Sequence, residues 1–150
     1  TRAFLPGMIQ RRRGHIVNIA SASGLLGVAK LADYSASKWA AIGFDESLRV
    51  ELRKIAPEIR TTVVCPYFVD TGMFHGVRTR FSFLLPILKP ETVVRRIVRA
   101  IERDKARLTM PPLVHFVPAM RLLPVPAMDA MAEALGVNVS MDEFIGRKPD

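Results

Sequence analysis

The sequence predicts an α/β fold, an open parallel sheet whose strands are joined by amphipathic helices, and three observations carry that expectation. Two β-branched runs, HIVNIA at 15–20 and RTTVVC at 60–65, read as buried strands. A long helical pattern separates them, and a second helical pattern precedes a short strand near Leu108. Parallel strands need crossovers of a dozen or more residues, usually helices, so two strand–helix units in series point to a parallel sheet.

The first ten residues, TRAFLPGMIQ, read as the apolar end of a helix, and the RRRG turn leads into the first strand, where Ile16, Val17 and Ile19 are the expected buried positions. Small residues, SASG, follow it. From Tyr34 to Lys54, Ala41, Phe44, Leu48, Leu52 and Ile55 recur three or four apart, while Glu46, Arg49 and Arg53 occupy another side. Pro57 ends this helix, and Pro66 stops the second strand because proline supplies no ladder donor. Pro90 suits the first turn of the next helix, in which Val94, Ile97, Val98 and Ile101 repeat through Asp104. The stretch PPLVHFVPAMRLLPVPAM at 111–128 is apolar, but its prolines and Arg121 break it too often for a spanning helix. It reads either as a packing arm over the sheet or as a surface that dips into a bilayer or lines a greasy pocket.

The 150 residues carry 22 Lys+Arg against 14 Asp+Glu, a net charge of +8, and 49% are hydrophobic, which suits one globular unit and excludes a disordered chain. Cys65 is the single cysteine, so neither an intrachain disulfide nor a cysteine zinc cluster can form. The positive charge suits an anionic partner without choosing between nucleic acid, a phosphate-bearing cofactor and an acidic membrane surface.

Tyr34 and Lys38 are four apart, which puts phenol and ammonium on one helix face. A phenol titrates near 10, but an ammonium ~4 Å away at an effective dielectric of ~20 is worth roughly 4 kcal/mol, up to about three pKa units. Such a tyrosine could exchange protons near neutrality. Taken alone, the spacing equally describes a surface tyrosine over a solvated lysine stem. Ser21 supplies context, because it stands just past the first strand, and ligands in open α/β sheets bind outside the carboxyl ends of the strands.

In order, VNIAS, thirteen residues from Ser21 to the tyrosine of YSASK, and VVCPYFVDTGM resemble the catalytic half of the short-chain dehydrogenase/reductase family. The resemblance implies the C-terminal portion of a Rossmann-type doubly wound parallel sheet with a helical, Pro-rich extension. It also implies a nicotinamide-dependent (NAD or NADP) alcohol/carbonyl oxidoreductase. Tyr34 would be the general acid/base, Ser21 would orient and polarise the reacting oxygen, and Lys38 would tune Tyr34 and contact the nicotinamide ribose. Pro66, Val69 and Thr71 match the segment that contacts the cofactor, which Tyr34 and Lys38 would also bind, with Tyr67 replacing the family's usual glycine. The Pro-Tyr-Phe-Val pattern, RTRFSFLLPILKP and ALGVNVSMDEFIGRK are similar to the branch that includes retinol dehydrogenases and 17-beta-hydroxysteroid dehydrogenase-like enzymes. That branch implies a lipophilic alcohol or ketone as substrate.

The family's glycine-rich phosphate turn, its ribose selector and a further catalytic asparagine are expected upstream of Thr1. Gly24 and Gly27 do not form that turn, so residues 1–150 are expected to be one partial domain that does not bind cofactor productively alone. Homodimerisation through the first long helix is a further expectation, as is a location in the cytoplasm or at the surface of the endoplasmic reticulum or a lipid droplet. The rival reading is a catalytically silent lipid-surface binding or scaffold relative, which has no chemical need for Ser21, Tyr34 and Lys38 together. His15, His75 and His115 lack ligand spacing, and Ser21 lacks a G-x-S-x-G frame, so neither zinc nor hydrolysis is expected. Arg95, Arg96, Arg99 and Arg103 with Arg11–Arg13 read as a solvated basic face rather than a nucleic-acid footprint.

Overall fold

A computed structural model describes residues 1–146. Three parallel strands, β1 (Gly14–Ile19), β2 (Ile59–Pro66) and β3 (Arg107–Met110), lie in the order β1-β2-β3. Helix α1 (Leu5–Gln10) precedes them, α2 (Ala32–Ile55) crosses from β1 to β2, and α3 (Pro90–Glu102) crosses from β2 to β3. The register pairs Ile16 with Thr61 and Val64 with Leu108. The α/β parallel architecture expected from the sequence is the one observed.

β2 is the buried centre, with Val63, Val64 and Cys65 almost fully enclosed. β1 departs from its expected burial. It pairs only with β2 among the described residues, its side chains are half-buried, and Ile19 is 53% exposed.

The buried face of α2 is turned from the expected one. Leu48 and Leu52 face inward as the periodicity required, but Ile42 and Asp45 join them, while Phe44 and Ile55 are exposed. Hydropathy misplaces the stripe because a carboxylate occupies a core position. Asp45 accepts hydrogen bonds from Asn18 Nδ2 at 2.7 Å and from Thr61 Oγ1 at 3.2 Å, one donor on each of β1 and β2. A buried carboxylate is tolerable only when its oxygens are satisfied, so these bonds fix one axial and rotational setting of α2 on the sheet. Leu48 and Leu52 then pack with Ala56, Ile59, Met8 and Ile16, each large apolar side chain contributing about 1.5–3 kcal/mol by leaving water.

α3 starts at Pro90 as expected and ends at Glu102, two residues short of Asp104. Its inward residues are Val93, Ile97 and Ala100, while Val94 and Val98 are exposed. The 111–128 stretch is broken by its prolines into a 3-10 turn (Pro112–Phe116), α4 (Val117–Met120) and the start of α5 (Val125–Ala134). Leu113, Val114 and Val117 pack inward, whereas Phe116, Leu122 and Val125 are each exposed. No helix among the described residues is long and apolar enough to cross a membrane. After α5 the chain returns across the loop that follows β2, pairing Gly146 with His75 and packing Phe144 against Phe74. Arg147 and Lys148, the end of the ALGVNVSMDEFIGRK pattern, lie outside the described residues.

Candidate active site

The carboxyl ends of β1 and β2 open onto a cavity of about 390 Å³. Ser21, Tyr34, Lys38, Pro66, Val69 and Thr71 all line it. Residues drawn from two strand ends, one loop and one helix therefore meet where an open α/β sheet binds its ligands.

Each is placed by local structure. Ala20 donates its N–H to Val64 at 2.8 Å, completing the ladder, and Ser21 follows in extended backbone. The chain then turns through a 3-10 turn (Ala22–Gly24), whose first free amide is capped: Ser23 N–H donates to Ser21 Oγ at 3.2 Å. That bond occupies an acceptor lone pair of Ser21. The hydroxyl hydrogen points toward the Pro66 carbonyl across a long 3.4 Å, a contact weak enough to be exchanged for a substrate oxygen.

Tyr34 stands in the first turn of α2, its ring held edge-on by Phe74 at 5.6 Å between centroids. Lys38, one turn on, donates from Nζ to the Ile19 carbonyl at 3.2 Å and lies 5.3 Å from the centre of the Tyr34 ring. This corrects one expectation. The ammonium lies over the ring and bonds the end of β1, and the Tyr34 pKa is raised, not lowered. Burial pushes it above 10.0, and the Ser21 side chain offsets part of that rise. The segment after β2 is tied down by backbone: Thr71 N–H donates to Val69 at 2.8 Å, Asp70 N–H to Leu88 at 2.9 Å, and Leu88 N–H to Phe68 at 2.8 Å.

Tyr67, standing where the family pattern has glycine, donates its N–H to Met110 at 2.8 Å and packs on Phe68, so the departure is accommodated as cavity wall. The remaining wall is apolar and includes Leu26, Val28, Leu113, Leu135 and Val137. Gly24, which the sequence marks only as no part of a phosphate turn, has a packing role. A Cβ there would come within 2.7 Å of the Lys38 backbone oxygen, so only glycine lets the Ser21 loop lie this close to α2.

Burial also pushes the Cys65 thiol up from 9.0 to about 11 and the Tyr67 phenol up to about 12. All three groups hold their protons to higher pH folded than unfolded. The unfolded state then binds fewer protons above about pH 9, and stability falls as pH rises from there through 12. Thermal midpoints recorded from pH 8 upward are expected to stay level and then decline; a rise across the alkaline range would contradict these assignments.

Residues 1–81 match the family model for short chain dehydrogenases. The chain belongs to the short-chain dehydrogenase family. Among curated members, epidermal retinol dehydrogenase 2 from Mus musculus is 46% identical over 98% of this chain and 48% of its own length. Retinol dehydrogenase 10 from Xenopus tropicalis is 43% identical over 99% of this chain and 45% of its own. The chain thus spans about half the length of the curated relatives it matches. Among solved structures, a short chain dehydrogenase from Burkholderia cenocepacia J2315, in complex with NADP, superposes with a TM-score of 0.69. It is 26% identical, covering 89% of this chain and 52% of that one. Serine dehydrogenase from Escherichia coli gives a TM-score of 0.58 at 30% identity, covering 75% of this chain and 46% of the other.

Proposed function

We propose that this dehydrogenase-family chain carries the substrate and hydride-transfer side of an NAD- or NADP-dependent oxidoreductase acting on a lipophilic alcohol or ketone, such as a retinoid, a steroid or another lipid. The observation that carries the reading is the single cavity onto which Ser21, Tyr34, Lys38, Pro66, Val69 and Thr71 converge. A bound nicotinamide would supply or accept the hydride. The phosphate-binding glycine turn belongs, in this reading, to the part of the relatives' length that this chain does not span.

The fit of the residues to such a cofactor rests on their chemistry. Lys38 presents an ammonium at the cavity for ribose hydroxyls, and Pro66, Val69 and Thr71 form a backbone-braced edge with a hydroxyl able to meet a carboxamide. For carbonyl reduction, Tyr34 in its protonated form gives a proton to the substrate oxygen as charge develops there. Ser21 donates a hydrogen bond to the same oxygen, releasing its long contact with Pro66. For alcohol oxidation the same groups work in reverse, but only the ionised form of Tyr34 takes the proton, so with its pKa raised this direction is favoured toward alkaline pH. The apolar wall excludes water and receives the hydrocarbon body of the substrate.

Two further assignments belong to the reading. The exposed residues Phe44, Val50 and Ile55 of α2 support pairing of two copies, and the exposed apolar residues Phe116, Leu122 and Val125 of the Pro-rich arm support contact with a membrane or lipid-droplet surface from the cytoplasmic side. The catalytic assignment is tested by NAD(P)H formation from all-trans-retinol in the protein at the full length of its relatives. Turnover is expected, and Ser21→Ala is expected to lower kcat about 100-fold; an unchanged kcat would overturn the role given to Ser21.

A further inference from the structure

The Pro-rich arm supplies Leu113, Val114, Val117 and Met120 to the cavity wall. Immediately after Met120, Arg121 reaches back across the molecule. Its guanidinium carbon lies 4.0 Å over the Trp39 ring, and Nη1 donates to the Leu25 carbonyl at 3.3 Å. Trp39 follows Lys38 on α2, and Leu25 follows the turn that presents Ser21. One side chain therefore ties the apolar arm to both elements that carry the reacting groups.

We propose that Arg121 is a positioning residue that sets the distance between the apolar wall and the Ser21–Tyr34 pair, and thereby selects bulky over small lipophilic substrates. The inference rests on the oxidoreductase reading above. Arginine suits the task because its planar fork stacks on an indole and keeps a donor in the ring plane for a carbonyl at the same time. A short substrate touches only Ser21 and Tyr34, whereas a long one must also lie along Val117 and Met120. Loosening the arm thus affects binding of the long substrate and leaves the chemical step in place.

The test compares all-trans-retinol with n-butanol in the full-length protein. Arg121→Ala is expected to raise KM for retinol about fivefold with kcat little changed, and to leave both constants for n-butanol within about twofold. Arg121→Lys, which keeps the cation over the ring but loses the fork, should fall between. Trp39→Leu should reproduce the effect, and the double variant should be no worse than either single one. Equal losses for both alcohols, a fall in kcat alone, or additive single effects would overturn the proposal. Should the wild-type protein oxidise neither alcohol, the oxidoreductase reading fails separately, and binding of the same two ligands to wild type and Arg121→Ala by calorimetry still decides. Weakening confined to retinol upholds the positioning role; equal affinities overturn it.

Discussion

Replacing Tyr34 by phenylalanine is expected to lower kcat by roughly 10²- to 10⁴-fold, the range that a positioned acid–base group contributes. The substitution removes one oxygen and keeps the ring, so the edge-on contact with Phe74 and the place of α2 on the sheet both survive. Thermal stability should accordingly be nearly unchanged. Cofactor affinity should hold as well, because of the groups assigned to the cofactor edge, Pro66 is paired with Met110 in the sheet and Val69 and Thr71 are braced by a backbone bond, neither of which involves the phenol. A kcat within twofold of wild type would remove Tyr34 from the mechanism. A large loss of stability would instead show that the phenol is chiefly structural.

Gly24→Ala should produce the second largest effect, from a residue with no chemistry of its own. The added methyl would lie 2.7 Å from the Lys38 backbone oxygen and 2.8 Å from the Ile42 Cδ1 atom. The isoleucine tip can rotate away, but the Lys38 carbonyl belongs to a continuous helix and cannot. The turn must retreat, and because Gly24 N–H donates to the Ser21 carbonyl at 3.0 Å, Ser21 retreats with it. Overpacking of this kind costs about 1–3 kcal/mol. A displacement near 1 Å at a reacting group can cost about 100-fold in rate. Thermal unfolding and kcat should therefore both fall. Gly27→Ala is the control, since no atom lies within 4 Å of a Cβ there, and it should change neither. Equal effects at the two glycines would show that backbone freedom, not close approach to α2, explains Gly24.

The sheet was legible because β2 is buried along most of its length and its sequence carries four consecutive β-branched residues, Thr61, Thr62, Val63 and Val64, between Pro57 and Pro66. α2 was legible in extent but not in rotation, since Asp45 reads as a surface residue until Asn18 and Thr61 are seen to hold it. The candidate site could be read in order along the chain because Ser21, Tyr34 and Lys38 carry recognisable spacing. What stayed hidden depended on contacts between distant segments. Gly24 against the Lys38 carbonyl and Arg121 over Trp39 have no local pattern, and the Lys38 ammonium prefers the Ile19 carbonyl to the phenol that spacing had assigned it. Spacing brings two residues onto one face; burial and competing acceptors then decide which atoms meet.

The most direct measurement follows the hydrogen itself. Retinol labelled with deuterium at its carbinol carbon is incubated with NAD or NADP and the full-length protein, and the reduced cofactor is examined by mass spectrometry. Direct transfer at the Ser21–Tyr34 cavity requires the label to appear in the reduced nicotinamide with the wild-type protein and to be all but lost with Tyr34→Phe. Reduced cofactor without the label, or equal labelling by the two proteins, would contradict the account.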